Sequence, residues 1–164
     1  MLVYASCVPV PRLTNHRATT PTPCEQSISY RMRPEPVQVS RVREQARQVL
    51  PAWGLTEHAD LAALIISELV TNAIVHGTGP IEVRLSHEDG SLRVQVHDQG
   101  DRRPVRRHPD SDWEDGRGLA LIDGLIEQYG GTRGVLGDSD RIGKTVYVTL
   151  PLACDRGPGS LHRP

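Results

Sequence analysis

Two stretches of the chain place apolar residues at helical spacing. Over residues 36–50, "PVQVSRVREQARQVL", Val39, Val42, Ala46, Val49 and Leu50 fall on one side of a 3.6-residue repeat. This predicts an amphipathic helix, with Pro36 tolerated in its first turn and Pro51 as its stop. Over residues 54–77, "GLTEHADLAALIISELVTNAIVHG", the spacing predicts a longer helix. Thr56 is its expected N-cap, Glu57 and Asp60 lie in its first turn, and Gly77 stands at its C-terminal end. Alternation then takes over. "PIEVRLSHEDGSLRVQVHDQG" reads as strands over 81–86 and 92–98 joined by a turn over 88–91. "SISYRM", 27–32, alternates as an edge strand, and "GLALIDGLIEQYG" sets Leu119, Ile122, Leu125, Ile126 and Tyr129 on a further helix ended by Gly130 and Gly131. "TRGVLGD" is a short strand or turn, and "GKTVYVTLP" a last strand stopped by Pro151.

The segments between and around these elements set the domain boundaries. Prolines at 9, 11, 21 and 23 with polar threonines between them make residues 1–27 an expected flexible tail, because such a segment buries too little apolar surface to offset its ordering entropy. A second tail is expected over 153–164. Residues 99–117 are polar, rich in Arg, Asp and Pro, and too long for a simple connector, so they read as a functional lid or a disordered loop. One folded domain, 28–152, remains, as suits a chain of 164 residues. Helices separated from a run of strands indicate an α+β two-layer sandwich, with helices packed on one face of a mixed, mostly antiparallel sheet.

Charge and cysteines narrow the class of function. A formal charge of -1 with 24% charged residues gives no electrostatic bias toward nucleic acid or a membrane surface, and neither is an expected direct partner. Cys7, Cys24 and Cys154 lack the pair spacing of a zinc knuckle or a redox motif. The start, "MLVYASCVPVPRL", has no basic residue before its apolar stretch, and later stretches read as falling short of a bilayer span of about 20 apolar residues. A cytoplasmic setting is the resulting expectation. Lys144 is the only lysine and phenylalanine is absent, which reads as compositional bias.

Candidate chemistry lies in three short stretches. On the long helix, Leu61, Ile65, Glu68, Asn72 and His76 form one stripe, apolar first and polar later, beside a stripe of Ala62, Ile66, Leu69 and Ala73 that should pack on the sheet. An ionised Glu68 in a dry core would carry a heavy desolvation cost, so Glu68 and Asn72 must face water, a partner group or a ligand. In "VQVHDQGD", Asp98 ends a strand and Gly100 follows; a carboxylate there can accept from an exocyclic amine, and a glycine lets the backbone approach a flat ring, although Asp-x-Gly is also a common turn. In "EDGRGLALI", Gly116 and Gly118 flank Arg117 before a helix, which suits phosphate oxygens or serves as a flexible helix entry. His76 continues the polar stripe and could touch a phosphate, but a histidine at a helix C-terminus is also favourable for dipole reasons alone, and that plainer role is the expected one. "GKT" at 143–145 lacks the preceding glycine of a phosphate-binding Walker loop and opens a strand, and alternation turns His97 away from Asp98.

Taken in order along residues 30–150, these motifs resemble the GHKL, or Bergerat-fold, ATP-binding superfamily, and "SELVTNAIVHG" in so short a chain is most similar to the anti-sigma-factor serine kinases. That resemblance implies ATP and Mg²⁺ as cofactors. It implies Asn72 as the Mg²⁺ ligand, Asp98 on the adenine amino group, and Gly100 flanking the ring. Gly116, Arg117 and Gly118 would form a lid over the phosphates, Thr145 would support the adenine through its hydroxyl, and Glu68 would be the general base for a serine or threonine nucleophile. The implied protein partner is a sigma factor or an anti-sigma antagonist, with a homodimer among the expected assemblies. A non-catalytic, ATP-dependent interaction module is the alternative. Asp101 departs from the second glycine of D-x-G-x-G, which puts the adenine-side loop in doubt.

Overall fold

The computed structural model describes the backbone of residues 2–8, 25–100, 116–137 and 142–152, and side chains over 26–100, 122–137 and 142–152. In chain order the elements are β1 (Leu2–Val8), β2 (Glu25–Met32), α1 (Pro36–Ala52), a 3₁₀ turn (Thr56–His58), α2 (Ala59–His76), β3 (Ile81–Glu88), β4 (Ser91–Asp98), α3 (Gly116–Tyr129), β5 (Thr132–Gly137) and β6 (Lys144–Pro151). The strands form a six-stranded sheet in the order β1-β2-β3-β4-β6-β5. Every pairing among the described strands is antiparallel, so the α+β sandwich stands and no parallel pair occurs within it.

Alternation decides which face of the sheet meets the helices. Ile28, Tyr30 and Met32 of β2, Val83 and Leu85 of β3, Val94 and Val96 of β4, and Val148 and Leu150 of β6 are all buried. From the helices come Val42 and Ala46 of α1, Ile65, Ile66, Leu69, Val70 and Ala73 of α2, and Ile122 and Ile126 of α3, which close one continuous core with those strands. The expected packing stripe of α2, Ala62, Ile66, Leu69 and Ala73, is buried throughout. A smaller cluster, Leu50, Leu55, Ala59, Ala62 and Leu92, seals the junction between α1 and α2. The β3–β4 hairpin turns on Asp89 and Gly90, both at positive φ (50° and 67°), the geometry of a two-residue primed turn that follows strand twist.

Several expectations are corrected. Leu2–Val8 is a strand paired antiparallel to β2, which itself starts at Glu25, so residues 2–8 and 25–27 are not a flexible tail. The prolines that suggested a tail lie at 9 and beyond, clear of a β-branched, aromatic-containing segment that can pair. Residues 9–24, 101–115 and 153–164, and with them most of the expected lid, Asp101 and the C-terminal tail, lie outside the described residues. Thr56 opens a 3₁₀ turn and does not cap α2, whose N-cap position is His58 without a side-chain cap bond. α1 runs past Pro51 to Ala52, and Tyr129, placed among the core positions of α3, is 43% exposed. The helical stretch Thr56–His76 has mean hydropathy 1.4 and is long and apolar enough to cross a membrane by length and composition, contrary to the expectation for this chain. Its apolar side chains form the centre of the core.

Candidate functional site

β4 ends in a substitution of character. Leu92, Val94 and Val96 point into the core, and by the same two-residue period the next inward position is Asp98, only 1% exposed. Its partner in register on β6 is Lys144, which begins the inward row continued by Val146, Val148 and Leu150. The Lys144 ammonium donates to Asp98 Oδ1 at 2.9 Å, and the Gly100 N–H donates to the same oxygen at 2.8 Å. Two charges taken out of water are expensive unless paired and hydrogen-bonded, and here each supplies what the other needs.

α2 delivers its end to this pair. Gly77, at the C-cap of α2, lies so close to Asp98 that a Cβ on it would come within 2.7 Å of the Asp98 Cγ. Gly100 is equally confined, with a Cβ there 2.8 Å from Asp98 Oδ1, 3.2 Å from Lys144 Nζ and 3.3 Å from the Gly77 Cα. Gly143, at φ +125°, crosses the Asp98–Gln99 backbone with no room for a side chain. Gln99 N–H donates to the Thr78 carbonyl at 2.9 Å and ties the end of β4 to the segment after α2. A carboxylate at a helix C-terminus meets the negative end of the dipole, so the Lys144 cation offsets that repulsion as well as the desolvation.

Back along α2, Asn72 precedes Gly77 by five residues, about 7.5 Å of helix rise, and Glu68 lies about 6 Å further. Both are partly buried, outside the dry stripe, and His76 is exposed. The helix therefore sets an amide and then a carboxylate at stepped distances from the Asp98 end. Among the described residues no three His, Cys, Asp or Glu side chains gather to hold a metal on their own. A single amide oxygen suits Mg²⁺, which keeps waters and shares its shell with phosphates. Gly116, Arg117 and Gly118 are the opening residues of α3 itself and not a loop before it, so their backbone N–H groups belong to the donors a helix start leaves without intrahelical partners.

Thr145 is not part of this constellation. It pairs in register with His97, and its Oγ1 lies 3.2 Å from His97 Nδ1, on the sheet face opposite Asp98. The side-chain period of two moves a residue one position from Lys144 to the other side. His97 faces away from Asp98 as its alternation requires. A hollow of about 240 Å³ lined by Arg31, Pro80, Glu82, His97, Gln99 and Ile142 opens on that outer side; His97 and Glu82 are cross-strand partners there, and it is separate from the Asp98–Lys144 pair. Lys144 and Gly77 were missed as site residues. The signal for Lys144 was available in the inward row of β6, but only once its register against β4 is known.

The sequence pattern of the histidine kinase-like ATPase domain family matches residues 32–149, well over half of the chain. The chain belongs to this family. Its members are ATP-binding domains of the GHKL superfamily, generally working with Mg²⁺. Among solved structures, this ATPase domain is similar to the histidine kinase domain of the Erythrobacter litoralis EL346 blue-light activated histidine kinase, with 23% identity and a TM-score of 0.47, covering 71% of this chain and 60% of that one. A second structure of the Erythrobacter litoralis EL346 blue-light activated histidine kinase shares 30% identity with a TM-score of 0.46, covering 59% of this chain and 31% of that one. This ATPase domain thus spans 60% and 31% of the length of those two chains. A comparison with functionally curated proteins finds no match.

Proposed function

We propose that this ATPase domain is a cytoplasmic regulatory serine/threonine protein kinase of the anti-sigma-factor type. It would bind Mg·ATP and pass the γ-phosphate to a serine or threonine of an antagonist protein, sequester a sigma factor, or do both. The observation that carries the nucleotide part is Asp98, a buried carboxylate at the end of β4 packed against Gly77 and Gly100, which would be the acceptor for an adenine amino group. ATP supplies the transferable phosphoryl group. Asn72 would hold Mg²⁺ against the phosphates, the backbone N–H groups at the start of α3 would bind phosphate oxygens, and Glu68, one turn from Asn72, would accept the proton of the attacking hydroxyl.

The phosphotransfer part rests on Glu68. Incubation with γ-labelled ATP and candidate antagonist proteins should label one of them on serine or threonine. Glu68→Ala should lower that transfer by about 100-fold or more, the usual worth of a general base, while ATP affinity stays within about threefold. Normal ATP binding with no transfer to any candidate would contradict the kinase reading and leave an ATP-dependent interaction module.

A further inference from the structure

The chain has one lysine and it is buried at the site: Lys144, with its side chain 10% exposed and its Nζ 2.9 Å from Asp98 Oδ1. An ammonium carries three donors and no acceptor, and one proton suffices for Asp98. Gly100 stands beside that ammonium, where a Cβ would sit 3.2 Å from Nζ, and Gly77 stands against Asp98, where a Cβ would come within 2.7 Å of Cγ. A carboxylate acceptor and an ammonium donor thus stand side by side next to Gly77 and Gly100, both nearly buried.

We propose that Lys144 is a base-recognition residue. On adenine the 6-amino donor is flanked by ring-nitrogen acceptors, N1 on one side and N7 on the other. Asp98 accepts from the amine, at Oδ2, while Lys144 donates to one of the flanking nitrogens, so the pair reads donor and acceptor together. This role rests on the assignment of Asp98 to the base. It goes beyond that assignment because it makes affinity depend on a ring nitrogen and on the ammonium that meets it.

The test is titration of the protein with ATP, 1-deaza-ATP and 7-deaza-ATP in Mg²⁺, repeated with Lys144→Met. Wild type should bind one of the two deaza analogues at least about tenfold more weakly than ATP, as loss of a hydrogen bond to a charged group implies. Lys144→Met should lose about the same factor for ATP and show no remaining penalty for that analogue. Because Lys144 is the sole lysine, ¹⁵N-lysine labelling gives one side-chain ammonium signal, and ATP should shift it more than the weak analogue does at saturation. Equal binding of all three nucleotides to wild type, a deaza penalty that persists in Lys144→Met, or an ammonium signal indifferent to ATP would each overturn the role. Wild type that binds no ATP would overturn the base assignment of Asp98 and this role with it; tight ATP binding without discrimination would overturn this role alone.

Discussion

Tyr30 shows what one polar atom does in this core. Its ring is fully buried on β2, its hydroxyl has no hydrogen-bond partner among the described residues, and burial pushes its pKa from 10.0 up to about 12. Folded Tyr30 therefore holds its proton through a window, about pH 10 to 12, in which the unfolded chain loses it, and stability should fall there by up to roughly 2–3 kcal/mol. Tyr30→Phe should remove that loss, and at pH 7 should be neutral or stabilise by about 1 kcal/mol because an unpaired hydroxyl leaves the core. Urea denaturation of both proteins at pH 7 and pH 11 checks this. An equal alkaline loss in the two proteins would show that the hydroxyl is not buried. Asp98 was legible at this scale because its strand alternates without interruption, whereas Thr145 was misplaced because "GKT" does not say which of its residues opposes Asp98.

Between elements, the site depends on the contact of α2 with the end of β4. Gly77 is extended, at φ -91°, so its dihedrals admit alanine, but the added methyl would strike the Ala73 carbonyl oxygen in the last turn of α2 and would come 2.7 Å from the Asp98 Cγ. Gly77→Ala should cost about 1–3 kcal/mol, as overpacking does, and should weaken nucleotide binding by displacing the carboxylate. Thermal unfolding and ATP titration of that variant measure both; full stability with full affinity would show that the contact is slack. The long helix and the hairpin could be read from the chain because their signals are local: a 3.6-residue stripe on α2, and alternation around Asp89-Gly90. β1 could not, since a seven-residue edge strand is defined by its partner Glu25–Met32 and not by its own sequence. The expected Thr56 cap failed for a related reason, as a 3₁₀ turn absorbs the three residues before α2.

On the scale of the whole molecule, an antiparallel sheet packed against α1, α2 and α3 sets the Asp98–Lys144 pair against the C-terminal end of α2, the helix that carries Asn72 and Glu68. A ligand that binds only this arrangement must stabilise it. Mg·ATP at about 100 times its dissociation constant should add about 2.7 kcal/mol and raise the melting temperature by a few degrees. Asn72→Ala should reduce the part of that shift that requires Mg²⁺. The family and its ATP-binding role follow from motifs spread over residues 32–149, and the sequence order of those motifs was sufficient to read them. The lysine that completes the acceptor–donor pair was not readable, because it joins Asp98 only through the register of β4 on β6. The role of Asp98 is measured by calorimetric titration with Mg·ATP of wild type beside Asp98→Asn. Wild type should bind and the variant should lose about 100-fold or more in affinity, since an amide presents one acceptor and a donor where the base needs a carboxylate; equal affinity for the two proteins would overturn the assignment of Asp98.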